Sequence, residues 1–349
     1  MSAVSPIDVK GWCPGALRPM ESGDGLIVRV RPWCGALSIE QACGIADAAD
    51  RYGNGHIDLT RRANLQLRGI SERTLDGLQM VLQALGLLDC AAGAEAVRNV
   101  MVGPLAGSEA RALAKDLTTA IVSDRRLWSL PAKFGWVVDD DRQATIVDQP
   151  ADIALCTTER GVAVRQAGRW IGLAGRERAV DAAVALALGE KPQLPSLPQA
   201  PSMHERPLGI AAPFGRIEAR QLFRLIDLAA AAGAREIRFS PWRALHFDVP
   251  FEGAAGLGLI VDADDPLLRI DACPGAPACR SSTVDTRGIA RLIASRPFAG
   301  TVHVSGCAKG CARSAPADLV LVGTHGQLGM VHKGTSRSPI ERIVTPDTL

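Results

Sequence analysis

The sequence lacks the features of several protein classes. No apolar run reaches the ~18 residues that a membrane-spanning helix needs, so we expect no membrane segment. The net charge is only +2, which argues against a strongly basic nucleic-acid-binding protein. Residues 1–10 contain no basic stretch followed by an apolar run. A secretory signal would show that pattern, so we expect a cytoplasmic protein.

Two kinds of ligand-binding signature are also missing. The glycines of 253–258 and 323–329 do not form the Gly-x-Gly-x-x-Gly pattern of a dinucleotide site between a strand and a helix. Turns account for them, and NADH is not expected to bind this chain directly. The sequence has six histidines, and they form no tight pair at metal-ligand spacing. A histidine-rich metal site is therefore not indicated.

Cysteine is plentiful instead, and four of the nine cysteines form two close pairs near the C-terminus. Cys273 and Cys279 form a Cys-x5-Cys pair, and Cys307 and Cys311 form a Cys-x3-Cys pair. The first spacing is wider than the Cys-x2-4-Cys of structural zinc sites. An iron-sulfur cluster is therefore favoured over zinc and over four unrelated buried thiols. The chain is predicted to be a redox protein.

The length and the charge distribution add two constraints. At 349 residues, 47% of them hydrophobic, the chain is long enough for roughly two or three domains with cores of their own. From Arg269 to Arg342 there are ten Lys or Arg and four acids. The region around the four cysteines is thus locally basic, and an anion is its expected partner.

The chain contains two copies of one unit at a constant offset of 180 residues. The register holds without a gap for Gly35 and Gly215, Gln41 and Gln221, Asp47 and Asp227, Gly53 and Gly233, Ile57 and Ile237, and Leu65 and Leu245. Chance does not keep such a register over so long a stretch, and an internal repeat is the simplest explanation.

Each copy is predicted to form strand, helix, strand, strand. In the first copy Ser38 opens the helix with Gln41 as its capping-box partner, and the glycines of 53–55 end it. Apolar and polar residues alternate along the strands, so the polar set lies on one face: Arg29, Arg31, Gln66 and Arg68 in the first copy, and Arg238 and His246 in the second. The two polar faces are predicted to close over a ligand at a pseudo-twofold axis.

The doubled architecture and the cysteine spacing resemble the sulfite and nitrite reductase superfamily. In that superfamily the four cysteines hold a 4Fe-4S cluster, and the last of them bridges to the iron of sirohaem. Further segments resemble the precorrin-3B synthase family over nearly the whole chain: Gly11-Trp12-Cys13-Pro14-Gly15-Ala16-Leu17-Arg18-Pro19-Met20, Ser22-Gly23-Asp24-Gly25-Leu26, Leu59-Thr60-Arg61-Arg62-Ala63-Asn64-Leu65-Gln66-Leu67-Arg68 and Ser240-Pro241-Trp242-Arg243.

The resemblance implies an α+β fold of two pseudo-symmetric halves, each a ferredoxin-like half domain followed by an α/β domain of the cluster-binding type. A proline-rich stretch between the copies indicates an extended linker. The expected divisions are 1–70, first half domain; 71–189, first α/β domain, without the cluster cysteines; 190–207, linker; 208–255, second half domain; and 256–349, 4Fe-4S cluster domain.

The implied activity is that of a dioxygen-dependent monooxygenase of aerobic cobalamin biosynthesis. Such an enzyme hydroxylates precorrin-3A with reducing equivalents from NADH and closes a γ-lactone, and family members are described as carrying a 4Fe-4S cluster and a mononuclear non-haem iron. A separate reductase or a ferredoxin is the expected electron donor, and a monomer is expected. The alternative is a sirohaem-dependent sulfite or nitrite reductase. A non-catalytic iron-sulfur carrier is disfavoured, because it would not need a doubled, arginine-rich architecture.

A tetrapyrrole with many carboxylate arms needs several guanidinium or ammonium donors. The expected donors are Arg62, Arg68, Arg98, Lys133 and Arg243, with Arg18, Arg29 and Arg31 as weaker additions.

The reductases hold their anion with an Arg after Thr-Thr, an Arg before Asn-Val and a Lys-x-Lys pair. Arg62, Arg98 and Lys133 resemble three of these cations, whereas Gly135 stands where the second lysine is expected. This departure favours dioxygen chemistry over sulfite reduction. For the non-haem iron, His246 and His303 are the first candidates, and the ligand set stays unassigned.

Overall fold

The computed structural model describes residues 13–143 and 145–345. Gly11 and Trp12 of the first family-like segment lie outside the described residues. Four β-sheets carry the described chain, with helices packed against them. Within this part of the chain, no helix has both the length and the apolar character needed to cross a membrane.

The first copy of the repeat has the predicted order of strand, helix, strand and strand. Its elements are β1 (Met20–Ser22), β2 (Gly25–Val30), β3 (Ala36–Ser38), α1 (Ile39–Tyr52), β4 (His56–Leu59), β5 (Leu65–Ile70) and α2 (Glu72–Ala84). Ser38 caps α1 and forms the predicted capping box with Gln41. Its hydroxyl accepts from the Gln41 amide, and the Gln41 side chain accepts from the Ser38 amide, so two otherwise unpaired helix-end donors are satisfied.

The α/β domain of the first half follows. Its elements are α3 (Ala92–Val97), β6 (Val100–Val102), α4 (Ser108–Ser123), β7 (Trp136–Asp140), β8 (Ile153–Thr158), β9 (Gly161–Gln166), β10 (Arg169–Ala174) and α5 (Ala179–Ala187). Strands β6, β7 and β8 are parallel, and β9 and β10 continue the sheet antiparallel. Trp136 is fully buried in this domain and packs with α4 and its neighbours in a core of its own.

The second half repeats both units. Its elements are β11 (Ile210–Ala211), β12 (Arg216–Glu218), α6 (Ala219–Ala231), β13 (Glu236–Phe239), β14 (Ala244–Phe247), β15 (Ile270–Ala272), α7 (Thr286–Ala294), β16 (Val302–Ser305), β17 (Ala317–Thr324), β18 (Gln327–Gly334) and β19 (Arg342–Val344). Strands β15, β16 and β17 are parallel, and β18 and β19 are antiparallel. The two α/β sheets therefore share one topology.

The backbone confirms the repeat at single residues. Cys34 and Phe214 both have positive φ, 52° and 55°, and so do Ala63 and Arg243, at 53° and 63°. Each pair is separated by the 180 residues of the sequence offset. A positive φ is uncommon for residues other than glycine, so its recurrence at matching positions shows that both copies keep the same turns.

The two half domains exchange one strand each. Strand β12 of the second copy pairs with β4 of the first, and β3 of the first pairs with β13 of the second. The sheets therefore run β1-β2-β5-β4-β12 and β11-β14-β13-β3. Helices α1 and α6 pack together with both sheets in one shared hydrophobic core. The half domains thus form a single structural unit, on which the two α/β domains are placed.

Candidate functional site

A cavity of about 630 Å³ lies between the first half-domain sheet and the α/β sheet of the second half. Its size is within the ~300–1,000 Å³ typical of small-molecule sites. The cavity wall includes all four paired cysteines together with nine cations and two acids: Arg29, Arg61, Arg62, Arg68, Lys133, Arg243, Arg280, Arg287, Lys309, Glu21 and Asp58. The excess of cations favours a polyanionic ligand.

The cysteines come from the carboxyl ends of two neighbouring parallel strands. Cys273 directly follows β15, and its loop runs through Cys279 to α7; Cys307 and Cys311 lie in the loop after β16. The carboxyl ends of adjacent parallel strands meet at one edge of a sheet, which is where ligands bind in open α/β folds. The fold therefore brings both cysteine pairs to the same wall of the cavity.

Backbone amides already point at the cysteine sulfurs. The Gly306 amide donates to Cys273 Sγ at 3.2 Å, and the Lys309 amide donates to the Cys307 thiol. A Cβ at Gly306 would lie 2.2 Å from Ser282 Oγ, so only glycine fits this close approach. Amide donors to sulfur are one of the means by which proteins tune iron-sulfur clusters.

The thiols also interact electrostatically. Burial and, to a smaller extent, negative charge on Cys273, Cys307 and Cys279 together raise the pKa of Cys311 to about 11, against the lowering effect of Lys309.

The donor set fits a 4Fe-4S cluster better than a single metal ion. Within residues 13–143 and 145–345 no three His, Cys, Asp or Glu side chains converge closely enough to bind one ion. A four-iron cluster takes four cysteine ligands, and each binds a different iron, so their sulfurs stay further apart than around one ion. Cys273, Cys279, Cys307 and Cys311 are the residues that would hold the cluster.

Asp58 binds a group of three arginines, two of which, Arg68 and Arg287, line the cavity. Its carboxylate accepts from Arg216 at 2.8 and 3.0 Å, from Arg287 at 3.3 Å and from Arg68 at 3.4 Å. Burial raises the pKa of Asp58, but Arg287, Arg216 and Arg68 together bring it well below its usual range. The carboxylate therefore stays ionised and ties the first half domain to α7 of the second half.

Asp271, two residues before Cys273, organises a second group. It pairs with Arg61 at 2.6 Å, with Arg313 at 3.2 Å and with Arg243 at 3.4 Å. Arg243 passes beside Gly215, where a Cβ would lie 2.6 Å from Arg243 Cδ. The glycine therefore leaves the space that the arginine needs.

Arg62, Lys133 and Arg29 are three further cations that line the cavity. Arg62 Nη2 donates to the Lys133 carbonyl at 2.9 Å, whereas its buried Nη1 has no partner. The same is true of Arg29 Nε. Desolvation lowers the pKa of the Arg29 guanidinium, although the nearby Cys13 thiol opposes the shift. Leaving a buried donor without a hydrogen-bond partner costs free energy. An anionic group that reached these donors would therefore bind favourably.

Three of the expected carboxylate binders are not among the residues that line the cavity. Arg98 is buried, donates to Asp89 at 2.6 and 2.8 Å and lies over the Trp33 ring. Arg31 is buried beside Glu95, at 3.3 Å, and Arg18 is exposed elsewhere. Arg98 also donates to the Arg31 carbonyl at 3.1 Å. Both arginines therefore make contacts inside the protein and do not line the cavity.

The polar faces of the two half domains do not close over one ligand. Arg238 and His246 lie opposite each other on β13 and β14, but neither is among the residues lining the cavity. Arg238 instead donates to the Pro104 carbonyl of the first α/β domain at 3.2 Å. Each half domain packs against the α/β domain of the other half. The two polar faces therefore contact different domains and do not enclose one shared ligand.

The histidines do not supply a set of iron ligands within the described chain. His303 is fully buried on β16, and neither ring nitrogen has a partner. His246 is buried near Arg206 and Arg238, and burial, reinforced by those two cations, lowers its pKa to about 4. Two guanidinium groups beside a ring disfavour binding of a dication there. The described residues therefore do not fit a mononuclear non-haem iron.

Sequence patterns missed several residues of the site. Asp58, Asp271 and Arg287 belong to no motif, yet the two carboxylates pair with six arginines of the site, Arg287 among them. Alternation on β4 could have revealed Asp58, because Ile57 and Leu59 on either side of it are buried in the core. No sequence signal distinguished Arg287 from an ordinary surface cation.

Known proteins resemble this chain in both sequence and fold. Residues 18–85 match the model of the nitrite/sulfite reductase ferredoxin-like half domain. A precorrin-3B synthase of Sinorhizobium sp is 31% identical over 94% of this chain and 83% of the relative. The ferredoxin–nitrite reductase of Synechococcus elongatus is 33% identical over 41% of this chain and 30% of its own length.

The NirA protein of Mycobacterium tuberculosis shares the fold. It superposes with a TM-score of 0.68 at 19% identity, over 93% of this chain and 78% of that chain. The chain therefore has the fold of NirA, and its residues 18–85 match the ferredoxin-like half domain of nitrite and sulfite reductases. The chain belongs to the precorrin-3B synthase family, because the similarity to that relative extends over nearly the whole chain.

Proposed function

We propose that this chain hydroxylates precorrin-3A at the meso carbon between rings A and D, and that the ring A acetate then closes a γ-lactone. One atom of dioxygen enters the product, and the other leaves as water with a pair of electrons and a pair of protons. The observation that carries the proposal is one cavity whose lining combines arginines of the half domains with the four paired cysteines.

Substrate binding is assigned first to Arg62, Lys133 and Arg29. All three residues line the cavity, and the buried Nη1 of Arg62 and Nε of Arg29 lack partners. A guanidinium can hold a carboxylate by two parallel hydrogen bonds, which fixes the orientation of the ring as well as its charge. Orientation matters here, since one meso carbon among four similar positions must react.

The four paired cysteines are proposed to hold the group that delivers electrons. A 4Fe-4S cluster held by Cys273, Cys279, Cys307 and Cys311 would supply electrons at low potential beside the substrate. The amides of Gly306 and Lys309 would donate hydrogen bonds to its cysteine sulfurs. The mononuclear iron described for the family has no ligand set among the described residues, so no step is routed through it.

A separate reductase or a ferredoxin is proposed as the electron donor, with NADH as the ultimate source. The support is the missing dinucleotide fingerprint and the cations Arg280 and Lys309 on the cysteine side of the cavity, which favour a negatively charged partner. A monomer is proposed because the internal repeat already supplies a pseudo-dimeric core. Purified chain that oxidises NADH in step with product formation would contradict the proposed donor.

The second candidate is a sirohaem-dependent sulfite or nitrite reductase, favoured by the same cavity and by the NirA-like fold. The two functions differ in what the tetrapyrrole is. In the reductase it is a resident cofactor and colours the purified protein, whereas in the proposed enzyme it is a substrate that dissociates.

The proposal is tested by anaerobic titration of cluster-loaded protein with precorrin-3A. Arg62→Gln is compared with Arg73→Gln, which removes an exposed cation on α2. We expect saturable binding that is about tenfold or more weaker in Arg62→Gln and unchanged in Arg73→Gln, because hydrogen bonds to charged groups contribute about 1.5–3 kcal/mol. Sirohaem absorbance in the purified protein, or no binding of precorrin-3A, would favour the reductase.

A further inference from the structure

The loop that carries Cys279 is held from outside by the first half domain. The carbonyl of Ala278, next to Cys279, accepts three donors: Ser22 Oγ at 2.9 Å, Gly23 N at 3.2 Å and Arg68 Nη2 at 3.1 Å. All three come from the β1–β2 hairpin and β5. The Ser22–Gly25 turn, which carries no role in substrate binding above, thus lies against the cysteine loop.

The loop that carries Cys311 is held in the same way. The carbonyl of Ala312, next to Cys311, accepts from Arg61 Nε at 2.8 Å and from Arg243 Nη2 at 3.1 Å. Arg61 lies in the turn between β4 and β5, and Arg243 lies in the equivalent turn between β13 and β14. Both copies of the repeat therefore contribute an arginine to one carbonyl.

Arg68 makes its contacts in the interior of the protein. The Arg68 side chain is 2% exposed and is fixed by Asp24 at 2.7 Å and by Asp58 at 3.4 Å. A Cβ at Gly23 would lie 2.6 Å from the Pro277 carbonyl oxygen and 3.0 Å from the Cys279 amide. The backbone of Gly23 thus packs directly against the backbone of residues 277–279. Any side chain at position 23 must displace the loop that carries Cys279.

Arg68 has few donors left for a ligand. Nε and Nη2 bind Asp24, Nη1 reaches Asp58, and Nη2 also reaches Ser22 and Ala278. Arg243 is similarly committed to Asp271 and Ala312. Their geometry therefore suits holding the cysteine loops better than capturing a mobile carboxylate.

We propose that Arg68 and Arg243, with Gly23, are positioning residues for the iron-sulfur cluster: they fix the carbonyls beside Cys279 and Cys311 and so set the geometry and the reduction potential of the cluster. The inference rests on the proposed function in one respect, that the four cysteines hold a 4Fe-4S cluster. Buried positive charge near a cluster stabilises its reduced, more negative state, so loss of the Arg68 charge makes the potential more negative.

The test compares reconstituted holoprotein carrying Gly23→Ala, Arg68→Lys, Arg68→Gln or Arg243→Lys with two controls. Gly256→Ala adds a methyl where nothing lies within 4 Å. Arg73→Lys alters an exposed arginine on α2 that is not among the donors to Ala278 or Ala312 described above. The readouts are the electron paramagnetic resonance spectrum of the reduced cluster, its midpoint potential, and the rate of iron release to a chelator.

We expect an altered spectrum and about tenfold faster iron release in Gly23→Ala, Arg68→Lys and Arg243→Lys, since each loses a charged or backbone contact of the loops. Arg68→Gln is expected to have a more negative potential than Arg68→Lys, which keeps the charge. Both controls should match the wild type. Wild-type spectrum, potential and iron release in Gly23→Ala and Arg68→Lys would overturn the inference.

The outcomes separate this inference from the proposed function. If the wild-type chain binds no cluster after reconstitution, the proposed function fails before any variant is compared. If the wild type binds a cluster and converts precorrin-3A while the variants match it, the positioning role alone is wrong. Should the arginine variants not fold, Ser22→Ala and Gly23→Ala decide the matter, because both leave the ion pairs of Arg68 with Asp24 and Asp58 in place.

Discussion

Arg62 lies directly against the backbone at Gly135. Its Nη2 donates to the Lys133 carbonyl at 2.9 Å, and a Cβ at Gly135 would lie 3.1 Å from its Nη1. From the sequence, Gly135 reads as a missing cation. In the structure the missing side chain leaves room for the guanidinium of Arg62, so the glycine and the arginine act together at the cavity wall.

Gly135→Ala should therefore weaken precorrin-3A binding. A methyl at 3.1 Å from Arg62 Nη1 forces the guanidinium to shift and disturbs its hydrogen bond with Lys133. The expected loss of affinity is a few-fold, smaller than the ~tenfold loss for Arg62→Gln, because the charge remains. Anaerobic titration measures it beside Gly256→Ala. Unchanged or tighter binding in Gly135→Ala would show that Arg62 does not contact the ligand from this position.

Each of the four paired cysteines should be required for the cluster. Replacing Cys273, Cys279, Cys307 or Cys311 by Ser removes one thiolate ligand, and we expect loss of the brown absorbance and of most bound iron and sulfide. Cys90→Ser is the matched control, because Cys90 is exposed and is not among the residues lining the cavity. Iron and sulfide are counted per chain after anaerobic reconstitution. Full iron and sulfide content in any of the four variants would remove that cysteine from the ligand set.

Asp58→Asn should destabilise the protein in a pH-dependent way. The pKa of Asp58 is held below its usual range despite burial, chiefly by Arg287, Arg216 and Arg68. A carboxylate with a depressed folded-state pKa stabilises the fold above its unfolded pKa of ~3.9, and that stabilisation is lost as the pH falls further.

The expected cost of Asp58→Asn at pH 7 is about 3–5 kcal/mol, because three buried guanidinium groups lose their counter-charge. The difference in the free energy of unfolding between variant and wild type should shrink below pH ~4. Urea denaturation at several pH values, with both proteins in the same cluster state, measures it. An equal difference at pH 7 and pH 3 would show that the Asp58 charge is not the cause.

Arg98→Lys should lower stability more than it lowers substrate affinity. Arg98 makes a bidentate pair with Asp89 and holds the Arg31 carbonyl, and lysine cannot reproduce that fork. We expect a loss of about 2–3 kcal/mol in the free energy of unfolding and near-normal binding of precorrin-3A at a temperature where the variant is folded. Weaker precorrin-3A binding by Arg98→Lys, with an unchanged free energy of unfolding, would instead show that Arg98 binds a carboxylate of the substrate.

The sequence predicted the parts of the fold that depend on local pattern. The repeat at an offset of 180 residues is visible because the two copies share residues position by position. The cap at Ser38 and the alternation along β2 and β5 are set by residues close in the chain. The exchange of β3 and β12 between the half domains was not predictable. Each is a three-residue strand whose pairing partner lies in the other copy, so tertiary contacts alone decide it.

The site was predictable to the extent that residue type implies chemistry. Cysteine spacing identified the four thiols, and the family resemblance led to Arg62 and Lys133, all of which line one cavity. An arginine in a motif does not reveal whether its donors are already paired, however. Arg98 faces Asp89 inside the protein, and that partner could not be recognised before the chain was folded.

The most direct test of the account is the conversion of precorrin-3A by wild-type, cluster-loaded protein under isotopically labelled dioxygen, with an electron donor present and the product mass as readout. The account predicts a product that carries one oxygen atom from dioxygen, formed only when both the donor and the cluster are present. Absence of the label from the product, or no change in the substrate while sulfite or nitrite is reduced, would contradict it.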